Sequence, residues 1–341
     1  MEPQVVEAFA TTQPKPRIPA EFYRKSLLGA AGLISFMLAM FVLPTVLNYH
    51  LLMQSDWPLW SRIALSLPLF VLAGQGVHLM GWVAHDGFHF TFHSNRYVST
   101  VPALFFSSMT LFFFESGMAM DHWSHHRYAN TDRDPDLWLL RHHKTFWSRF
   151  FKQRNRANLH YFLRAVKLAM GRPLPPELAH ITLPFSLPVF RAFAWANIIF
   201  VLGWLAVYVY IETLFPRFLL IGVLAPLLIG GWLSGLRSFT EHAHTKAGDL
   251  YNTRSRTHWL FTLIEFGGNY HLEHHLYPSV PQWRLPKLHR WLLADGYYDR
   301  LPDPSIIDPG LGVYRYTLGQ YAYGCKTEMP SALPLAGAVN N

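Results

Sequence analysis

Long hydrophobic runs separated by polar connections dominate the chain. Two runs, at about 27–47 and 63–84, lie in its first third, and two more, at about 192–211 and 218–236, follow a long polar stretch. Each run is close to the ~20 residues with which an α-helix crosses the hydrocarbon core of a bilayer. A helix also satisfies its backbone hydrogen bonds internally, as a lipid environment requires. The pattern therefore predicts an all-α integral membrane protein with four transmembrane helices.

A fifth apolar segment, 98–114, is shorter than the other four and carries Pro102 near its start. A segment of this length is typical of a re-entrant or interfacial helix rather than a full crossing. The aromatic-rich part of this segment, 104–114, and the apolar stretch 258–266 are candidate walls of a substrate cavity.

Composition and charge agree with a membrane location. The chain is 51% hydrophobic and 15% charged, with a formal net charge of +8. Basic residues concentrate between 127 and 191, whereas the connections 48–62 and 212–217 hold one arginine each, Arg62 and Arg217. The positive-inside rule then predicts that this basic segment and both termini are cytoplasmic. Basic loops are ordinary in membrane proteins, so the charge does not predict nucleic-acid binding.

The domain prediction has three parts. Residues 1–26 are polar and proline-rich, lack the apolar core of a cleavable signal, and form a cytoplasmic N-terminal segment. Residues 27–295 form the membrane domain, and 296–341 form a C-terminal tail. Cys325 is the single cysteine, which excludes disulfides within the chain and cysteine-ligated clusters.

Histidine clusters are the main candidates for chemistry. Nine of the 19 histidines fall into four clusters near the ends of hydrophobic segments. The clusters are HDGFH (His85 and His89), HWSHH (His122, His125 and His126), RSFTEH (His242) and HLEHH (His271, His274 and His275).

Positions i, i+3 and i+4 share one helix face, so each H-x-x-H-H presents three imidazoles together. Neutral imidazole binds iron, copper, zinc and nickel, and nine such ligands suit two metal ions. Because spans three and four return the chain to the same side, the last three clusters share one membrane face. The first cluster joins them if 98–114 does not cross. We therefore expect a cytoplasmic helical cap that carries a histidine-rich di-metal site.

The strings HDGFH, HWSHHRYANTDRDPD, RSFTEH and NYHLEHHLYPSVP resemble the histidine boxes of the membrane fatty acid desaturase family in order, spacing and flanking residues. The similarity covers about 60–295. That family also includes lipid, alkane and carotenoid hydroxylases and carotenoid ketolases. The resemblance implies two iron ions, with O2 as co-substrate, held by all nine histidines of the four clusters.

Further residues are candidates for additional or supporting roles. Ser238 lies one turn before His242, where some relatives have a neutral polar ligand, and Asn269 is a second candidate. His93 lies one further turn beyond His89. A third histidine at this position resembles the pattern of carotenoid hydroxylases. Carboxylates often orient ligating imidazoles, and those within or next to the clusters are Asp86, Asp121, Glu241 and Glu273, followed by Asp134 and Asp136.

The implied function is an O2-dependent desaturase that introduces a double bond into a fatty acyl or lipid-like substrate. Hydroxylation or ketolation of a carotenoid, an alkane or a small amino-acid-derived compound remains open, because these outcomes diverge only after the first hydrogen is removed. The chain carries no motif for an iron–sulfur centre or a dinucleotide. A separate ferredoxin, rubredoxin or cytochrome-like donor is therefore implied as a partner, along with the lipid bilayer.

Two functions of other classes are alternatives. A membrane zinc hydrolase would carry one metal with three protein ligands, often in an H-E-x-x-H motif, which this sequence lacks. A metal transporter would place its ligands within the membrane spans rather than beyond them.

Overall fold

The computed structural model describes residues 15–111, 113–178, 181–248, 250, 252–301 and 306–310. Residues 1–14 of the predicted N-terminal segment, most of the predicted tail 296–341, and Cys325 lie outside the described residues.

The described chain is mostly helical. Its α-helices are α1 (Leu27–Met53), α2 (Leu59–Phe88), α3 (Arg96–Ser107), α4 (Glu115–Tyr128), α5 (Pro135–Leu140), α6 (Phe146–Ser148), α7 (Arg154–Ala169), α8 (Leu187–Leu214), α9 (Ala225–His242), α10 (Trp259–Ile264), α11 (His271–Leu276) and α12 (Leu285–Ala294). Wider π-helical turns, Arg149–Gln153 and Leu219–Leu224, lead into α7 and α9. Short 3₁₀ turns lie at Ala20–Tyr23, Ser108–Thr110, Pro176–Leu178, Gln282–Arg284 and Tyr297–Arg300.

One short strand pair departs from the all-α prediction. Strand β1 (Ser255–Arg256) pairs in parallel with β2 (Ile307–Asp308), so that Ser255 lies opposite Ile307.

Four of the described helices are long and apolar enough to cross a membrane: α1, α2, α8 and the continuous segment Leu219–His242. The four predicted hydrophobic runs are confirmed by these helices, each of which extends beyond its run at the C-terminal end. In particular, α2 continues to Phe88, so His85 lies in its last turn rather than after it. The helical hydrogen-bond pattern persists past the apolar run because HDGF contains no helix-breaking proline.

Arg96–Thr110 and Glu115–Tyr128 would add a fifth crossing if they formed one broken span. Helix α3 has 12 residues, too few to cross alone. That 98–114 does not cross stays a prediction.

The chain divides into two compact units. The first, which we call the histidine unit, comprises the described residues of 1–24, 121–146 and 238–341. The second, the membrane unit, comprises residues 25–120 and 147–237.

Close helix contacts shape the membrane unit. A Cβ atom added at Gly76 of α2 would lie 2.5 Å from the backbone nitrogen of Phe41 in α1, and one added at Gly87 would lie 2.1 Å from the Cβ of Ala103 in α3. Small residues at such points let helix backbones approach closely, which is how helices associate in lipid. Gly87 stands between His85 and His89, so the close approach of α3 fixes the end of α2 that carries them.

The histidine unit has a hydrophobic core of its own. Helices α11 and α12 contribute Leu272, Leu276, Leu288 and Leu292, and Phe22 from the 3₁₀ turn Ala20–Tyr23 is buried in the same cluster. The core also contains Tyr297 and Tyr298, which the domain prediction assigned to the C-terminal tail. The short, histidine-bearing helix α11 is thus embedded in a packed layer.

Residues 15–24 fasten onto this layer by polar contacts as well. The Lys15 ammonium donates a hydrogen bond to the carbonyl oxygen of Leu276 at 2.7 Å, and the Tyr277 hydroxyl donates to the carbonyl of Pro16 at 2.7 Å. Leu276 and Tyr277 lie at the C-terminal end of α11. We call residues 15–24 the N-terminal strap.

Candidate metal centre

Three histidines from three separate elements form the first buried group in the histidine unit. His125 lies on α4, His242 ends α9, and His275 lies on α11; one ligand nitrogen from each lies within 4.8 Å of those of the other two. All three are buried. The fourth histidine nearby, His271, has its Nε2 atom 3.2 Å from Nε2 of His242.

A second group uses the remaining predicted ligands of the same unit. His122 and His126 lie one turn apart on α4, and their Nε2 atoms are 2.9 Å apart. Nε2 of His274 on α11 lies 3.0 Å from Nε2 of His126. Converging imidazole nitrogens of this kind are the donor set that transition metals bind.

The ring nitrogens of His275 test whether this cluster fits a metal ion. Both are buried, and neither makes a hydrogen bond within the described part of the chain. An unpaired buried polar group is costly, and a metal ion would satisfy one of the two nitrogens. Burial, followed by the positive charge at His125, holds the pKa of His275 well below its ordinary value. The His275 ring is therefore neutral, the form that binds a metal.

Asp134 orients His125. The Nδ1 atom of His125 lies 2.8 Å from a carboxylate oxygen of Asp134, so Nε2 is the nitrogen left for a metal. Burial alone would lower the pKa of His125, but the charges of Asp134 and Asp136 raise it to about 9. The same carboxylate caps α5 by accepting from the backbone N–H of Asp136 at 2.9 Å. Asp134 thus combines helix capping with a contact to His125.

Glu241 lies between His271 and Arg256. A carboxylate oxygen of Glu241 lies 3.7 Å from Nε2 of His271, and its other oxygen lies 3.3 Å from the Arg256 guanidinium. Arg256 also pairs with Glu265 at 2.9 Å. All of these side chains are buried, so the charges compensate one another where water does not.

Glu273 is turned away from the histidines of its own helix. Position 273 is about 200° from position 271 on a helix of 100° per residue, whereas 274 and 275 return to the face of 271. Its buried carboxylate accepts hydrogen bonds from Ser255 and Tyr298, and it lies 2.5 Å from Nδ1 of His289. Burial would raise the pKa of Glu273, but the hydrogen bond from His289 and those from Ser255 and Tyr298 hold it below its ordinary value. Glu273 therefore anchors α11 from behind.

Three further candidates of the histidine unit differ in what holds them. Asn269 is fully buried; its amide nitrogen donates to the carbonyl of Arg256, and its amide oxygen has no partner within the described residues. Asp121 is buried next to His122, and Ser238 lies one turn before His242 on α9. The role of each in metal binding stays a prediction.

His85 and His89 belong to the membrane unit. Their rings lie 4.7 Å apart at the end of α2. Nδ1 of His85 lies 3.2 Å from Asp86, whose other carboxylate oxygen accepts from the hydroxyl of Thr91 at 3.2 Å. Asp86 thus lies where its carboxylate can orient His85, and its role in metal binding stays a prediction.

His93 does not continue this helix face. Helix α2 ends at Phe88, and the backbone of Phe90 turns into the left-handed region with φ of 58°. Nδ1 of His93 instead accepts a hydrogen bond from the backbone N–H of Asn95, just before α3. The periodicity argument for His93 was wrong because it assumed that the helix continued past His89.

Ser255, His289 and Tyr298 are functional candidates that sequence reasoning missed. Ser255 lies 18 positions before Glu273, and His289 and Tyr298 lie 16 and 25 positions after it. No spacing rule joins positions so far apart. The one available signal was Glu273 itself, since a carboxylate on the face opposite three ligands needs partners from elsewhere.

Membrane-length helices together with buried histidine groups that could hold metal ions define the class: a helical membrane protein with a histidine-box centre. The family model described as "Fatty acid desaturase" matches residues 55–305. The chain therefore belongs to the fatty acid desaturase family, a family of oxidoreductases.

The chain is also similar to individual proteins, at low sequence identity and over part of their length. The chain is 27% identical to a "Beta-carotene ketolase" of Paracoccus sp. (strain PC1) over 49% of this chain and 54% of the relative. It is 34% identical to "Sphingolipid delta(4)-desaturase DES1" of Drosophila melanogaster over 27% of this chain and 32% of the relative. The matches thus span about half or less of these relatives' length.

Proposed function

We propose that the protein is an O2-dependent di-iron oxidoreductase of the membrane that introduces a double bond into a fatty acyl or lipid-like chain. The observation that carries this proposal is the pair of histidine groups in the histidine unit, in which imidazoles converge from α4, α9 and α11. Family membership supports the oxidative class.

In this proposal all nine box histidines are iron ligands. His122, His126 and His274 contribute to one ion, and His125, His242 and His275 contribute to the other, with His271 beside them. His85 and His89 complete the set on the strength of the family motif. Asp134 and Asp86 keep Nδ1 of His125 and of His85 engaged, which fixes the ring orientation of each.

A reduced di-iron centre supplies the capacity to oxidise an unactivated C–H bond with O2. Desaturation consumes a –CH2–CH2– unit, one O2, two electrons and two protons, and gives –CH=CH– and two waters. The electrons come from a separate ferredoxin, rubredoxin or cytochrome-like protein, because the sequence carries no motif for an electron-transfer cofactor of its own. We place the centre and both termini on the cytoplasmic side, on the basis of the basic loops.

Hydroxylation or ketolation is the second candidate. The similarity to two β-carotene ketolases of Paracoccus, at 27% and 26% identity over about half of the chain, favours it. Hydroxylation uses the same O2, electrons and protons but leaves one oxygen atom in the product. A zinc hydrolase is disfavoured, because seven predicted histidine ligands lie together in the histidine unit where a catalytic zinc takes three protein ligands.

Expression with an electron donor, followed by untargeted mass analysis, distinguishes the candidates. A product lighter by two hydrogens supports desaturation, and one heavier by one oxygen supports hydroxylation. His274→Ala should abolish turnover and lower the iron content while membrane insertion persists. His142→Ala, a change at an exposed histidine of the same unit, is the matched control. Full iron content and turnover in His274→Ala would contradict the ligand role, and one zinc with no iron in the wild type would contradict the oxidative function.

A further inference from the structure

A cavity of about 370 Å³ lies within the membrane unit. Its lining residues come from α2, from Thr110 and Phe113, from α7 and from the segment Leu219–His242, and none of them is a predicted metal ligand. A volume of this size falls in the ~300–1,000 Å³ range of small-molecule sites.

One part of the cavity wall is aliphatic. Val77 of α2 and Leu224, Leu227 and Leu228 of the α9 segment line it. Leu224 and Leu228 are 50% and 49% exposed, so the cavity opens on the flank of a membrane-spanning helix. A hydrocarbon chain can therefore enter it directly from the bilayer.

Another part of the wall is polar and basic. Arg154 and Asn155 lie in the first turn of α7 and Asn158 lies in the next turn, and among the described lining residues none is acidic. The Arg154 guanidinium lies over the Phe113 ring, 4.6 Å from its centroid, which holds the charge at the cavity wall. Basic pockets between transmembrane helices recognise acidic lipid headgroups.

Asn158 requires a hydrogen-bond donor from the occupant of the cavity. Its amide oxygen is buried and accepts no hydrogen bond within the described residues. A buried acceptor of this kind needs a donor. An occupant that suits both Arg154 and Asn158 therefore carries an acidic group and, beside it, a hydroxyl or ammonium group.

We propose that this cavity binds a phospholipid, with one acyl chain between α2 and α9, the phosphate at Arg154 and a headgroup hydroxyl or ammonium group at Asn158. A free fatty acid shares the chain and the negative charge but lacks the separate donor. None of the nine box histidines lines the cavity, and the proposal does not depend on the oxidation proposed above.

Two glycines allow a matched test. A Cβ atom added at Gly231, in the cavity wall, would meet only the Asn155 amide oxygen at 3.8 Å, so a larger side chain can be introduced and would occupy the cavity. Gly203 on α8 has no atom within 4 Å of such a Cβ and does not line the cavity. Gly231→Leu and Gly203→Leu therefore make the same chemical change inside and outside the cavity.

The test uses the purified, delipidated full-length chain in detergent, with phosphatidylglycerol, diacylglycerol of the same chains, and palmitate as probes. Native mass spectrometry counts bound lipid, and the shift in thermal unfolding reports affinity. We expect saturable binding of one phosphatidylglycerol to the wild type and to Gly203→Leu, and at least tenfold weaker binding to Gly231→Leu. Arg154→Gln should weaken phosphatidylglycerol binding about tenfold and leave diacylglycerol binding unchanged.

Several results would overturn the proposal. Equal binding by Gly231→Leu and the wild type would place the lipid elsewhere, and equal affinity for diacylglycerol would remove the role of the phosphate. Tighter binding of palmitate than of phosphatidylglycerol would reject the phospholipid. If Gly231→Leu fails to fold, Gly231→Ala and Arg154→Gln carry the same test. Metal content, measured in parallel, separates a failure here from a failure of the proposed oxidation.

Discussion

Asp134 shows how one side chain can serve both local structure and the metal centre. It caps α5 and engages Nδ1 of His125. A carboxylate in this position fixes the imidazole tautomer and raises its basicity, and losing such a partner typically costs ~10–100-fold in metal affinity.

Asp134→Asn should therefore weaken metal binding about 10–100-fold. An asparagine still caps the helix but carries no charge, so the pKa of His125 should fall from about 9. Titration of the metal-free protein with Co²⁺, followed by absorbance, measures the affinity. Asp132→Asn, at an exposed position two residues earlier, is the control. Equal Co²⁺ affinity in both variants would contradict the orienting role.

Tyr298 and Glu273 make a second prediction at the residue scale. The Tyr298 hydroxyl donates to the buried Glu273 carboxylate that anchors α11. Removing one donor leaves part of this carboxylate unsatisfied, which destabilises the position of α11 rather than the ligands themselves. Tyr298→Phe should lower metal affinity about tenfold and alter the Co²⁺ spectrum.

Glu273→Gln should retain more of the affinity than Glu273→Ala, because its single amide oxygen still accepts one of the two hydrogen bonds that Ser255 and Tyr298 donate to separate carboxylate oxygens. Equal loss in the two variants would show that the hydrogen bonds to Glu273 do not position α11. Tyr297→Phe is a neighbouring control, since Tyr297 does not donate to Glu273 in the described structure.

At the scale of elements, Asn197 ties α8 to the segment around α3 and α4. Its amide oxygen accepts from the Ser116 hydroxyl at 3.0 Å, and its amide nitrogen donates to the Ser108 hydroxyl at 3.0 Å. Asn197 is fully buried in a membrane-spanning helix, where such hydrogen bonds contribute about 1 kcal/mol.

Asn197→Ala should lower the free energy of unfolding by about 1–2 kcal/mol, because the two serines lose a shared partner. Unfolding in micelles by titration with SDS measures this difference. Ile199→Ala, two positions away and 60% exposed, should have a smaller effect. An equal loss in both variants would contradict a specific tie at Asn197.

The number of membrane-length helices was predictable, because a hydrophobic run of ~20 residues in a membrane protein usually forms one spanning helix. The box histidines were predictable for a similar reason: helical spacing forces His122, His125 and His126 onto neighbouring faces. What escaped prediction depends on tertiary contacts. The sequence argument placed His93 on the helix face of His89, but α2 ends at Phe88. The partners of Glu273 come from β1, from α12 and from the turn after α12.

At the scale of the whole molecule, the N-terminal strap contributes to the core around α11. Phe22 is 1% exposed and packs edge-on against Trp291, with ring centroids 6.3 Å apart. Phe22→Ala should destabilise the protein by about 3 kcal/mol, since it leaves a cavity in a packed cluster. It should also release metal at a lower temperature than the wild type does.

Differential scanning calorimetry with parallel metal analysis measures both effects. Tyr23→Ala, at the neighbouring and 39% exposed residue, is the control. If Phe22→Ala lowered the unfolding temperature no more than Tyr23→Ala, Phe22 of the strap would not stabilise the core around α11.

The strap also bears on how the molecule is made. Lys15 and Leu276 are separated by 261 positions, yet they are hydrogen-bonded to each other. The ribosome must therefore deliver all four membrane helices before the strap meets its partner, and contacts of such high sequence separation form late. Until then the imidazoles of α4 have no counterpart from α11. Metal loading is accordingly expected to be a post-translational event, and no N-terminal fragment that ends before residue 271 should retain a complete centre.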